Sequence, residues 1–277
     1  MAMVTIRSAG GRVLNPPSRW VASRPSLNRA MKPNTLRFLS LLTLGGVWEI
    51  AGRTGNARLL PPVSKVMIAW YDLLVSGQLF QALSVSVQAL TIGFVLSVLF
   101  GIPLGLLMGR YRRLESFLDI YMTALLTVPM ISFIPFLVIA FGLGLHSRVW
   151  IVFLFAFVII AINTTAGVRN VDPTLTEMAK SFGARESELF LKIILPAALP
   201  MIMAGIRLGM GRAVLGMVTS EMILAVVGFG AMLMTFSASF NSAALFATIL
   251  TIVLVAVALL ALIQYLDRRL TPWRSAA

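Results

Sequence analysis

Several uninterrupted apolar runs restrict the fold of this chain more than any other feature of its sequence. Each is about 20 residues long, which as a helix spans the roughly 30 Å hydrocarbon core of a bilayer. Hydrophobic residues make up 58% of the 277 positions and charged residues only 12%, whereas a soluble domain of this size carries more charge. The alternating segments of a transmembrane β-barrel are lacking. We therefore predict an all-α, polytopic membrane protein.

The apolar runs predict six transmembrane helices. They cover 37–52, 82–109, 117–141, 148–167, 198–227 and 242–266. Pro129 and Pro135 fall inside the third run, where proline removes a backbone hydrogen bond, so we expect that helix to be kinked or broken. The predicted transmembrane domain is 37–270. Residues 1–36 are expected to form a basic, disordered tail, and 271–277 a short C-terminal tail.

The distribution of basic residues predicts the orientation of the chain. Of the 23 Lys and Arg residues, only Arg53, Arg58, Lys65 and Arg148 fall on one side of the six helices. Loops rich in Lys and Arg stay in the cytoplasm. We therefore expect both termini and the loop 168–200 to be cytoplasmic.

Two shorter patterns add detail to this arrangement. Residues 61–80 predict a short helix at the outer interface, capped by Ser64 and carrying Trp70 at headgroup level. Glycines recur four residues apart in the second and fifth predicted helices, at positions 101, 105, 109, 205 and 209. Small residues at this spacing let helices pack closely in lipid.

Residues 171–183 predict a short amphipathic helix inside the cytoplasmic loop. Asp172 can cap the helix, Pro173 suits its first turn, and Gly183 suits the position just beyond its end. The apolar stripe of this helix is formed by Leu175, Met178, Ala179 and Phe182. Such a helix either lies on the membrane surface or docks into a partner protein, and the residue pattern alone leaves both open.

A longer motif includes this helix. Residues 177–196 match the pattern E-A-A-x3-G-x9-I-x-L-P with its full spacing, except that Met178 replaces the first Ala. The motif resembles the cytoplasmic signature of ABC importer permeases. The stretches "FGIPLGLLMGR", "TTAGVRNVDP", "GARESELFLKIILPAALP" and "SEMILA" also resemble the permeases for nitrate, sulfonates, taurine and bicarbonate, so the resemblance covers about 36–274. Where that family has R-P-x-P-P, this chain has "TVPMISFIP", which keeps Pro129 and lacks the Arg.

The resemblance implies a type I ABC importer permease fold in a bacterial inner membrane. It implies two permease subunits, expected to be a homodimer, with two cytoplasmic ATPase subunits and a periplasmic solute-binding protein. Residues 173–190 would form the coupling helix. The residues expected to dock the ATPase are Glu177, Met178, Ala179, Gly183, Ile193, Leu195 and Pro196. The chain lacks the G-x4-G-K-[ST] phosphate loop, so Mg-ATP is expected on the partner ATPase and no cofactor on this chain.

Charged and polar residues inside predicted helices are candidates for the solute path, because each is costly in lipid. The candidates are Arg212, Glu221, Thr219, Ser220 and Pro129. Arg212 either lines the path and attracts an anion or pairs with a carboxylate or helix end. Glu221 either bonds to neighbouring helices or contacts solute. Arg207, nearer the cytoplasm, is expected to extend toward the interface.

Other functional classes fit the sequence less well. A membrane-embedded enzyme needs clustered acid–base residues, and the chain has one His and no Cys. Neither an enzymatic activity nor a metal site is therefore expected. A secondary transporter without an ATPase remains the alternative, although its paired repeats of broken helices are not evident. The expected solute is a small anion such as nitrate, a sulfonate or taurine.

Overall fold

A computed structural model describes residues 33–55, 59–224 and 227–271, and this part of the chain is helical and contains no β-strand. The helices are α1 Pro33–Thr54, α2 Val63–Val75, α3 Gln78–Arg110, α4 Arg112–Thr127, α5 Ile134–Phe141, α6 Leu145–Arg169, α7 Pro173–Ser181, α8 Glu186–Leu189, α9 Leu195–Leu224, α10 Gly228–Ala238 and α11 Ser242–Leu270. The all-α prediction is confirmed. The predicted tails lie mostly outside the described residues.

Four helical segments of the described chain are long and apolar enough to cross a bilayer: α3, α6, α11 and Glu186–Leu224, which joins α8 to α9. The pair α4 and α5 meets the same criteria together, although its halves are bent by 96°. The first predicted span, 37–52, lies within α1, which is not in this group. The structure therefore gives four or five of the six predicted crossings, and the first remains a prediction.

The bent pair provides a return crossing, because α3 and α6 lie side by side in parallel. A Cβ atom on Gly93 would contact Val152, and one on Gly109 would contact Val168. The chain therefore leaves α3 at one end of the bundle and enters α6 at the other. The predicted break is confirmed at Pro129, between α4 and the 3-10 turn Met130–Phe133.

α6 is the central helix of the bundle, packed between α3 and α9. A Cβ atom on Gly105 of α3 would lie 2.5 Å from the Ala161 carbonyl oxygen, and one on Gly209 of α9 would lie 2.7 Å from Ile160 Cγ1. The predicted role of these glycines in close helix packing is confirmed. Both contact α6, so the two glycine rows set the spacing of three spans.

The predicted outer helix is α2, but its expected cap is wrong. Pro62 occupies the N-cap position. The backbone N–H and the hydroxyl of Ser64 instead donate to the Glu49 carboxylate, at 3.0 and 2.9 Å. Trp70 Nε1–H donates to Thr251 Oγ1 of α11 at 3.0 Å, which ties α2 to the last span.

Candidate functional site

The helix predicted to dock a partner is α7, and its start agrees with the prediction. The Asp172 carboxylate accepts the backbone N–H of Thr174 at 2.8 Å, and this hydrogen bond holds the pKa of Asp172 below its ordinary value. Pro173 lies in the first turn. The helix ends at Ser181, and Gly183 follows with a φ of +81°, a left-handed conformation that glycine adopts without strain. The predicted range 173–190 is thus two short helices, α7 and α8, joined by a turn.

One side of α7 is apolar and bare. Leu175, Met178 and Phe182 are exposed, and Phe182 is 87% accessible. Glu177 lies beside them and is exposed as well. An apolar ridge this accessible on a short amphipathic helix is a candidate contact surface, for a partner protein or for the membrane surface.

One edge of the same apolar stripe, at Ala179, packs against its own chain. Ala179, Ile193 and Leu195 contact a buried cluster. The cluster is made of Val168, Leu189, Ile194, Ala198 and Ile202. It joins the end of α6, α8, the π-helical turn Phe190–Ile194 and the base of α9. The seven predicted docking residues therefore fall into two groups. Some face outward, and the others lie along the packed side chains between α7 and α9. Pro196 is in the first turn of α9.

Ion pairs brace this end of the bundle. Arg110, the last residue of α3, pairs with Glu186 of α8. Arg169, the last residue of α6, pairs with Glu115 of α4. Each joins elements far apart in the sequence, so they were not predicted.

The second group of predicted residues surrounds a buried charge. Glu221 of α9 is 1% accessible. Its Oε2 accepts the Ser86 hydroxyl of α3 at 2.8 Å and the Gly230 N–H of α10 at 3.1 Å. Arg148 of α6 is 7% accessible, and its Nη1 lies 3.5 Å from Glu221 Oε1. Of the two roles considered for Glu221, this geometry describes bonding between helices.

The glycine turn at the start of α10 closes around this carboxylate. A Cβ atom on Gly228 would lie 2.4 Å from Glu221 Oε2, and one on Gly230 would lie 2.3 Å from the Met222 backbone nitrogen. The Phe229 N–H donates to Ser86 Oγ at 3.1 Å. Two N–H groups of the first turn of α10 are therefore satisfied by side chains from other helices. We call Ser86, Arg148, Glu221 and Gly228–Gly230 the carboxylate clamp.

The other path candidates do not form part of the carboxylate clamp. Ser220 is buried and donates to the Met217 carbonyl oxygen at 2.8 Å. Thr219 is partly exposed, and Pro129 is exposed at the break between α4 and α5. Arg212 is exposed on α9 and forms no ion pair with any described residue. The structure therefore does not bring the five candidates together within one chain.

Arg207 forms an ion pair rather than extending freely to the interface. Its Nη2 lies 2.6 Å from Asp267 Oδ2 of α11, and Asp267 also accepts the hydroxyl of Thr271 at 3.1 Å. The sequence did not predict this pair. It also did not predict the buried pairing of Arg148, because a basic residue at the end of an apolar run resembles an ordinary interfacial charge. Among the residues in view, no group of three His, Cys, Asp or Glu is suited to a metal ion.

Comparison with known proteins gives a family match. Residues 101–272 match the model of the binding-protein-dependent transport system inner membrane component. The putative aliphatic sulfonates transport permease protein SsuC of Bacillus subtilis is 33% identical over 83% of this chain and 84% of its own length. The taurine transport system permease protein TauC of Escherichia coli is 32% identical over 77% and 80%. The formylaminopyrimidine transport permease protein ThiX of Halalkalibacterium halodurans is 31% identical over 89% and 97%.

A solved structure shares the fold. A chain of the MetNI methionine ABC transporter, in inward-facing conformations, superposes with a TM-score of 0.52 at 18% identity. The match covers 69% of this chain and 93% of that one.

Proposed function

Since this chain belongs to the family of binding-protein-dependent transport system inner membrane components, we propose that it couples ATP hydrolysis by a separate subunit to the import of a small anion. The chain is a multi-pass permease subunit of an ABC importer for small solutes and is not an enzyme. An ATPase and a solute-binding protein are the partners that such a subunit requires.

The bare side of α7 carries the proposal. Leu175, Met178 and Phe182 form an apolar ridge beside Glu177, and an apolar ridge with flanking charge is what a helix needs to occupy a groove of a partner. The ATPase is the partner proposed here. Glu177 would meet a basic group in that groove. Gly183 lets the chain turn sharply back toward the bundle after the docking helix.

A push on α7 would reach the transmembrane helices through packed side chains. Ala179 rests on the buried cluster that includes Leu189 and Ile194, and the same cluster includes Ala198 of α9. Because close-packed interiors transmit displacement, closure of two ATPase subunits on Mg-ATP would move the base of α9. Two copies of the permease would then rock between inward-open and outward-open states, and the loaded binding protein would favour the second state through differential affinity.

The solute is proposed to be an oxyanion such as nitrate, a sulfonate or taurine. Two similar relatives are named for aliphatic sulfonates and taurine, and a third is named for formylaminopyrimidine, so the relatives alone support several solutes. The proposed location is a bacterial inner membrane with cytoplasmic termini, because the basic loops lie on the α7 side.

Reconstitution tests this function. The permease would be placed in proteoliposomes with the ATPase and the binding protein of the same importer, and uptake of labelled taurine, ethanesulfonate and nitrate would be measured with ATP or ADP inside. We expect uptake of one of these anions with ATP only. Uptake driven by an ion gradient without the ATPase would instead support a secondary transporter.

A substitution on α7 tests the docking surface. Phe182→Asp places a charge on the apolar ridge, so we expect the amount of ATPase that co-purifies with the permease to fall at least about tenfold, equal to roughly 1.4 kcal/mol of binding. Leu59→Asp is the matched control, because Leu59 is also apolar and 77% accessible but lies in the loop before α2, at the opposite end of the bundle. Equal ATPase recovery from the two variants would contradict the docking role of α7.

A further inference from the structure

One face of α9 remains uncovered in the single chain. Leu208 and Leu215 are 58% and 56% accessible, and Arg212 lies between them on the same face and is exposed. The opposite face is buried at Met210, Ala213 and Met217, and the glycines beside the exposed strip pack on α6. Arg212 therefore projects away from its own bundle.

The depth of Arg212 follows from the contacts of the two glycines that flank it on α9. Gly209 faces Ile160 and Gly216 faces Phe155, so Arg212 is level with the middle of α6. At 1.5 Å per residue, Arg212 lies about 26 Å along the helix from Leu195 and about 18 Å from Leu224. Its side chain is shorter than either distance and cannot reach an interface in the way that terminal Lys and Arg residues do.

No carboxylate of the described chain neutralises this guanidinium. Glu221 is taken by the carboxylate clamp, and Asp267 is taken by Arg207. Charged residues inside a membrane face a bundle interior or a water-filled cavity rather than lipid, because the cost of burying the charge in lipid is large. Something polar must therefore cover the Arg212 face of α9.

A second copy of the chain is the occupant that the proposed function supplies, because two copies of the permease rock against each other in it. In a two-fold pair the same patch meets itself, so Arg212 would lie near its counterpart with Leu208 and Leu215 on either side. Two guanidiniums facing each other repel unless water and an anion separate them. A guanidinium presents a planar fork of N–H donors that matches the oxygens of an oxyanion, and the surrounding leucines limit the water that would weaken this attraction.

We propose that the Arg212 face of α9 lines a water-filled passage between two copies of the chain, and that the paired guanidiniums bind the sulfonate or similar oxyanion group of the passing solute. This inference rests on the proposed function, whose solute path it locates. It makes Arg212 a residue that selects anions over neutral and cationic solutes.

Thiol labelling tests the passage without knowledge of the solute. The natural chain contains no cysteine, so Leu215→Cys introduces a single thiol one turn from Arg212. The assembled importer in proteoliposomes would be treated with two methanethiosulfonate reagents, one carrying a sulfonate and one carrying a trimethylammonium group. We expect both to react, and the anionic reagent to react at least about tenfold faster than the cationic one after correction for their rates with a free thiol, a difference of roughly 1.4 kcal/mol.

Matched variants identify the source of the preference. Adding Arg212→Met to Leu215→Cys should bring the two corrected rates within about twofold of each other. Leu208→Cys serves as a second reporter, in case the first variant assembles poorly. Val257→Cys, an exposed position on α11, the crossing helix with the smallest buried share, should react with neither reagent. Asp119→Asn tests whether a carboxylate of the second copy is the counter-ion of Arg212. If it is, removing its charge would raise the anion preference; if Arg212 lines the passage as proposed, the preference would stay unchanged.

The outcomes separate this inference from the proposed function. If Leu215→Cys and Leu208→Cys stay unmodified, or if their anion preference survives Arg212→Met, the passage is wrong even where ATP-driven uptake is intact. If the labelling result is as expected but uptake needs no ATPase, the passage stands and the proposed function fails.

Discussion

The ion pair between Arg148 and Glu221 is the most deeply buried of the ion pairs in the described chain. Both side chains are nearly inaccessible, and Glu221 also accepts hydrogen bonds from two other helices. Charges are tolerated inside a membrane protein when partners are arranged around them. The carboxylate clamp therefore joins α3, α6, α9 and α10 at a single point.

Removing the charge of Glu221 should destabilise the protein. Glu221→Gln keeps an acceptor for Ser86 and Gly230 but leaves Arg148 buried without its counter-ion, so we expect a loss of about 3 kcal/mol or more. The measurement is the Tm of the purified protein in detergent. The double variant with Arg148→Met should lose less than the two single variants added together. A strictly additive result would show that the two charges do not interact.

At the scale of elements, the spacing of α3, α6 and α9 depends on glycines that leave no room for a side chain. A Cβ atom on Gly105 would fall 2.5 Å from both the Ala161 carbonyl oxygen and Thr164 Cβ. A backbone oxygen cannot move aside, so the helices themselves would have to separate. In a membrane such close contacts hold helices together, because lipid provides no hydrophobic driving force between them.

Gly105→Ala should therefore lower the stability of the α3–α6 contact by about 1–3 kcal/mol, the usual cost of overpacking. Gly211→Ala in α9 is the control, because a Cβ atom there has nothing within 4 Å and alanine favours the helix more than glycine does. Tm values in detergent should fall for the first variant and stay level or rise for the second. If both variants shift equally, glycine spacing does not determine how closely α3 and α6 pack.

At the scale of the whole molecule, one helix connects the α7 end of the bundle with the opposite end. The base of α9 shares a buried cluster with the surroundings of α7. Its middle carries Arg212, and Glu221 near its far end holds the first turn of α10. A displacement of α7 therefore has a continuous packed route to the proposed passage and to the carboxylate clamp.

This route predicts a nucleotide-dependent approach of the two α7 helices. Ser181→Cys places the single thiol of each copy at the exposed end of α7. In the assembled importer, a short bis-maleimide should cross-link the two copies in higher yield with ATP and vanadate than with ADP, because closure of the ATPase subunits is proposed to draw the two α7 helices together. An equal yield in both states would argue against this coupling movement.

The sequence by itself determined the helical class, most of the crossing helices, the capped start of α7 and the close packing at Gly105 and Gly209. Each depends on a local or periodic pattern: apolar length, a capping residue before proline, or glycine every fourth position. Such patterns act through the backbone of one helix, so they can be recognised without knowing what that helix contacts. The motif proposed for docking was recognised through its resemblance to a family pattern of fixed spacing, because the residues alone left two roles open.

Only the tertiary structure decided which charges meet. Arg148 was expected on the outer side and Arg207 at the interface, yet each pairs with a carboxylate from another helix. Pairing with a carboxylate was also considered for Arg212, but the fold leaves Arg212 exposed. The physical reason is that an ion pair depends on the position of two helices around the bundle, whereas apolar periodicity shows only that each helix is buried.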